Sequence, residues 1–156
     1  LTLGALVGII TTTNSNIESI IPPFIFPIVW TILFILMGIS IYLQTLGLFF
    51  EDMAVRDLSI YASLLDAEIR HYRDNAGLEC DAVIHMPNGD WGAIEIKLGG
   101  EKLVNDGVNS LNLLKKKIEE KSSEKPPKFM MILTAVGAAY RREDGIYVVP
   151  LNCLKN

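Results

Sequence analysis

The chain has 156 residues, half of them hydrophobic, with 14 basic and 18 acidic side chains and a net charge of −4. That length fits one domain, or a small domain with an appendage, and such an apolar content excludes intrinsic disorder. Two cysteines exclude a disulfide scaffold and a cysteine-rich zinc module, and mild acidity excludes a basic coat that grips nucleic acid everywhere.

The charges are unevenly placed. Residues 1–50 carry one, Glu18, and residues 51–156 carry all the rest. The chain therefore reads as two pieces made for two solvents. Residues 1–10, LTLGALVGII, are apolar but about half the length needed to cross a bilayer, and read as the tail of a helix. TTTNSN at 11–16 is a polar loop. Residues 20–43 hold no charge, and a spanning helix needs roughly 20 apolar residues. Pro22, Pro23 and Pro27 sit at the front, where a helix tolerates proline. That leaves 27–43 as the helical body, at the short end of the spanning range. A buried core helix is the competing reading; length and lack of charge favour the membrane. Basic residues begin at Arg56, which places the C-terminal side in the cytoplasm.

The stretch PPFIFPIVWTILFILMGISIYL, 22–43, resembles the second transmembrane helix of the TspO/MBR family, the tryptophan-rich sensory proteins. Those are five-helix membrane proteins that bind porphyrins and related hydrophobic ligands. The resemblance implies that Trp30, in the VWT element, faces the family's ligand pocket. One helix cannot assemble that pocket, so no small-molecule ligand is expected.

The polar half changes pattern. Residues 47–65 interleave apolar and charged positions as an amphipathic helix should. Residues 69–73 suit a short strand, and Asp74-Asn75-Ala76-Gly77 a turn. Residues 80–86 alternate, Pro87-Asn88-Gly89-Asp90 signals a hairpin, and 91–98 is the return strand. Gly99-Gly100 punctuates before a helix over 101–121. Residues 122–128 form a polar loop, 129–136 a continuous apolar strand of the buried kind, 140–145 a charged turn, and 146–151 a last strand. A helix crossing between the third and fourth strands implies a parallel pair inside a mixed sheet. The fold class is α/β, in the order α-β-β-β-α-β-β behind the hydrophobic helix.

Three of these residues suit joint chemistry. Glu95 and Lys97 share one face of the return strand, being two apart. Whether Asp81 joins them depends on the hairpin. A two-residue turn sends Asp81 to the opposite face, whereas a three- or five-residue loop sets Asp81 opposite Glu95. The odd loop is favoured, because it collects Ile84, Met86, Ile94, Ile96 and Leu98 on the other face, with Gly89 in the left-handed position of a three-residue loop. Facing carboxylates repel unless a cation lies between them, and Mg²⁺ takes one or two carboxylates with water and phosphate oxygens. Glu51, at the start of the amphipathic helix, is a third carboxylate for the metal, and otherwise a first-turn acid complementing the dipole.

Asp81 and the Glu-X-Lys of 95–97 on a hairpin, in this element order, resemble the PD-(D/E)XK nuclease superfamily. That resemblance implies catalytic roles for Asp81, Glu95 and Lys97, metal binding by Glu51, Asp81 and Glu95, and Mg²⁺-dependent hydrolysis of DNA phosphodiesters. The longer segments GLFFEDMAVRDLSIYA, HYRDNAGLECDAVI, WGAIEIKLGGEKL and YRREDGIYVVPLNCL resemble the C-terminal domain of a family of prokaryotic AAA-type ATPases, a nuclease-like domain of no assigned function, over about 46–155. No phosphate-cradling G-x-x-x-x-G-K-[ST] is present, so no nucleotide is expected.

The expected domains are a hydrophobic TspO-like fragment at 1–45 and a nuclease-like domain at 46–156, joined by a fusion near 43–46. DNA and, through residues 20–43, a membrane are the expected partners. The expected location is the membrane with a cytoplasmic C-terminal domain, or the cytoplasm if the N-terminal segment is an artefact. The competing functions are a non-catalytic regulatory domain of an ATPase system and a fusion fragment without function. Lys115-Lys116-Lys117 reads as a solvated helix face, Arg141-Arg142 beside Glu143-Asp144 as a self-compensating turn, Trp91 as a packing residue, and Cys80 and Cys153 as small buried hydrophobes.

Overall fold

The computed structural model describes residues 24–120 and 125–154. The expectations for residues 1–16, Pro22 and Pro23, and part of the 122–128 loop, lie outside the described residues. The chain divides into two compact units between Tyr42 and Leu43.

Helix α1 runs over Ile25–Ser63. Two helices were expected, parted near 43–46; there is one, because Gln44-Thr45-Leu46 offers neither glycine nor proline to stop it. Pro27 sits in its first turn, and Thr31 Oγ1 donates to the Pro27 carbonyl at 2.8 Å. In the first unit its large apolar side chains are exposed around the helix, Phe34 at 59 % and Leu36 at 57 %. At roughly 1.5 Å per residue, its 39 residues extend well beyond a hydrocarbon layer of about 30 Å. Charges begin at Glu51, so the front of the helix is the part that suits a membrane.

In the second unit the same helix buries Phe50, Ala54, Leu58 and Ala62, a four-residue spacing that makes one stripe. It closes in a Schellman turn. Asp66 takes φ 53°, and the Ala67 and Asp66 amides donate to the carbonyls of Ala62 and Ser63.

The rest of this unit is a six-stranded mixed sheet with a second helix: β1 Glu68–Arg73, β2 Glu79–His85, β3 Trp91–Lys97, α2 Glu101–Glu120, β4 Phe129–Thr134, β5 Tyr140–Arg141 and β6 Tyr147–Pro150. The spatial order is β1-β2-β3-β4-β6-β5. β1, β2 and β3 are antiparallel neighbours, and β3–β4 and β4–β6 are parallel. The α2 crossing produces the expected parallel pair. The α/β class holds.

One strand was not expected. Tyr140-Arg141, read as part of a charged turn, pairs antiparallel with Tyr147 and Val148. The turn proper is shorter, and Arg142 in it pairs with Asp144 at 3.1 Å. Two residues carry too little alternation to signal a strand.

The sheet has a core on each face. On one, Val104, Val108, Leu111 and Leu114 of α2 pack with Val83, Ala93 and Ile132. On the other, the α1 stripe packs with Ala82, Ile94, Ile96 and Leu133. The apolar set predicted around Ile84, Ile94, Ile96 and Leu98 belongs to this second core. Gly92 is required by close approach: the Phe129 ring lies where a Cβ would stand.

Candidate functional site

The hairpin decides the site. Its loop is Pro87-Asn88-Gly89, closed by the Met86 amide donating to the Asp90 carbonyl at 2.8 Å. Gly89 has φ +80°, the left-handed position of a three-residue loop. The β2–β3 ladder pairs His85 with Trp91 and ends at Ala82 with Ile94. The odd register is therefore the observed one.

The carboxylates do not meet through a regular ladder. Between β1 and β2 the register shifts, from Arg70↔Val83 to Tyr72↔Cys80, so Asp81 and Ala82 together stand opposite His71. This bulge bends β2 where its ladder with β3 ends. Asp81 Oδ2 there accepts the Ile96 amide at 2.7 Å, so a side chain supplies the acceptor for that backbone amide. The bulge could not be read from the sequence, since it inserts no glycine or proline.

Lys97 joins the two acids. Its Nζ donates to Glu95 Oε2 at 2.7 Å and to Asp81 Oδ2 at 3.3 Å. Glu95 is 3 % exposed. Burial, then the Asp81 charge, push its pKa up to about 7, against the pull of Lys97. Burial alone would lower the Lys97 pKa, but the hydrogen bond to Glu95 and both carboxylate charges outweigh it, and the net shift is upward. The three groups act as one electrostatic unit.

Glu51 on α1 is half-buried and within electrostatic reach. Partial burial, then the Asp81 carboxylate, raise its pKa, against Lys97. No group of three His, Cys, Asp or Glu side chains converges in metal-binding geometry among the described residues. Asp81, Glu95 and Lys97 are thus together, and Glu51 stands near without completing a ligand triad.

Two neighbours escaped the sequence reading. Gly107 lets α2 come down over Glu95 and Lys97: a Cβ there would stand 3.5 Å from Glu95 Cβ and 3.5 Å from Lys97 Cε. The signal was available, since a glycine inside a helical pattern costs about 1 kcal/mol relative to alanine. Cys80 is buried beside the site, and burial, then Glu95, push its thiol up to about 12; it is inert. Cys153, also expected to be buried, is exposed, because it lies in the one-turn Leu151–Cys153 segment past the last strand. Lys117, read as part of a solvated face, pairs with Asp74.

Residues 46–154 match the domain of unknown function DUF4143. The chain belongs to this family. Residues 2–65 match the TspO/MBR family. The two matches overlap over 46–65, which lies in the second unit and takes in the C-terminal part of α1. Trp30 lies in the TspO/MBR match, edge-on to Phe26 and tilted against Phe34, with ring centroids 5.8 Å apart in each pair. No curated protein and no solved structure matches the chain. The TspO/MBR match and an apolar helix long enough to cross a bilayer support membrane association.

Proposed function

We propose that the DUF4143 domain is nuclease-like, with Asp81, Glu95 and Lys97 as a site for Mg²⁺-dependent hydrolysis of DNA phosphodiesters. The observation that carries this reading is the Lys97 ammonium bonded to both carboxylates where β2 and β3 part. The donor chemistry fits the ion: Asp81 and Glu95 offer hard oxygens, and Mg²⁺ is content with one or two carboxylates plus water and phosphate oxygens. When bound, the ion supplies polarisation of a phosphoryl oxygen and a more acidic bound water. The chain's own residues do the positioning. The Ile96 amide fixes Asp81, burial under Gly107 fixes Glu95, and Lys97 presents a cation to offset charge on a phosphate oxygen. Glu51 is a further carboxylate for the metal. The domain would face the cytoplasm, since the basic residues follow the apolar helix.

Plasmid nicking by the full chain tests this. It is expected to require Mg²⁺ and to fall roughly 100-fold or more in Asp81→Ala and in Lys97→Ala. Nicking without metal, or nicking indifferent to both substitutions, would overturn the assignment. One observation favours a non-catalytic regulatory or interaction domain instead: no three-ligand cluster is present among the described residues. Absence of nicking in the wild-type chain would select that reading.

A further inference from the structure

We propose a second binding site on the α2 face of the sheet, for an anionic ligand with a flat apolar body: one nucleotide unit of a nucleic-acid strand. A cavity of about 430 Å³ opens there, within the range of small-ligand sites. Its floor is apolar, with Val83, Leu114 and Ile118 from the core beneath it. Tyr72 and Trp91 supply aromatic walls. Trp91 is held in place, its Nε1–H donating to the Lys125 carbonyl at 2.8 Å. A base therefore meets a fixed ring, and base–aromatic stacking is sequence-tolerant.

The rim has one sign of charge. Arg70, His85 and Lys125 line the cavity, and no Asp or Glu does among the described residues. Arg70 is partly offset by Glu68 at 2.6 Å, so Lys125 carries most of the rim's charge, with His85 a polar neighbour. In a chain of net charge −4, this is the local basic patch that overall composition leaves room for. An apolar, aromatic floor under a cationic rim recognises a planar anion and discriminates against a free phosphate, which would leave the floor bare.

The choice of a nucleotide among planar anions rests on the nuclease reading. Val83 in the cavity floor and Asp81 both belong to β2. The binding itself needs no hydrolysis, and the two ideas can fail separately.

The test uses the full chain in neutral detergent with Trp30→Phe, so that Trp91 is the one tryptophan. Thymidine 5′-monophosphate is expected to quench Trp91 emission saturably. Thymidine is expected to bind at least tenfold more weakly, and inorganic phosphate to give no quenching. His85→Ala with Lys125→Glu, both at exposed positions, is expected to weaken the nucleotide tenfold or more while leaving the circular dichroism unchanged. Asp81→Ala is expected to lose nicking and keep nucleotide binding. No saturable quenching, equal affinity for thymidine, or an unchanged affinity in the double variant would each overturn this site, whatever the nicking assay shows.

Discussion

Before Leu43, helix α1 holds large apolar side chains in the open, with Phe34 and Leu36 more than half exposed. In the sheet, a glutamate is shut away at 3 % exposure. The two regions depart from ordinary burial in opposite directions, and each departure names what must offset it. Exposed hydrocarbon all round a helix calls for an apolar solvent. A buried carboxylate calls for a cation or a proton. The sheet finds its cation two residues away, in Lys97.

The largest effect belongs to the helix. Deleting residues 1–44 is expected to convert a chain that needs detergent into one that stays soluble without it, as read by sedimentation. A full-length chain soluble as a monomer in buffer would abolish the contrast. Next comes Lys97→Met, which leaves buried Glu95 and half-buried Asp81 without their cation. It should cost about 3 kcal/mol in urea unfolding, the low end for breaking a buried pair, since Glu95 can take up a proton. A loss below about 1 kcal/mol would show that the sheet tolerates its buried acid without help.

A pH series sharpens the same side. The folded Glu95 pKa is raised to about 7, above an ordinary glutamate value of about 4.3. Below the ordinary value both states hold the proton and the contribution is complete. As pH rises toward 7, the unfolded chain releases its proton first and the folded state loses stability. Glu95→Gln should flatten this decline; an equal slope in both proteins would remove Glu95 as its source. Glu51, raised in the same direction, keeps a smaller slope in the variant. The smallest effect is at Thr134, whose buried Oγ1 has no hydrogen-bond partner among the described residues. Thr134→Val should leave stability unchanged or raise it by up to about 1 kcal/mol, and a clear loss would reveal a partner for that hydroxyl.

Much of the sheet was legible because its signals are local. The apolar set at Ile84, Ile94, Ile96 and Leu98 favoured an odd loop over a two-residue turn, and the loop sets the phase of both strands. The periodicity of residues 101–121 announced α2, and the crossing announced the parallel pair. The site was legible only in part. Strand alternation put Glu95 and Lys97 together, but the bulge at Asp81–Ala82 and the Ile96 amide depend on strands meeting, which no single segment encodes. Gly107 carried a signal without an address. The expected break in α1 failed for a plain reason: residues 44–46 contain nothing that stops a helix.

By itself, the sequence determined two solvents, an α/β order and three residues competent for one electrostatic unit, because charge placement and side-chain periodicity are properties of the chain alone. Only the tertiary structure decided how Asp81 reaches its partners, how deeply Glu95 is buried, and that Arg70, His85 and Lys125 ring one cavity. Those depend on distances between segments far apart in sequence, and such distances are set by packing.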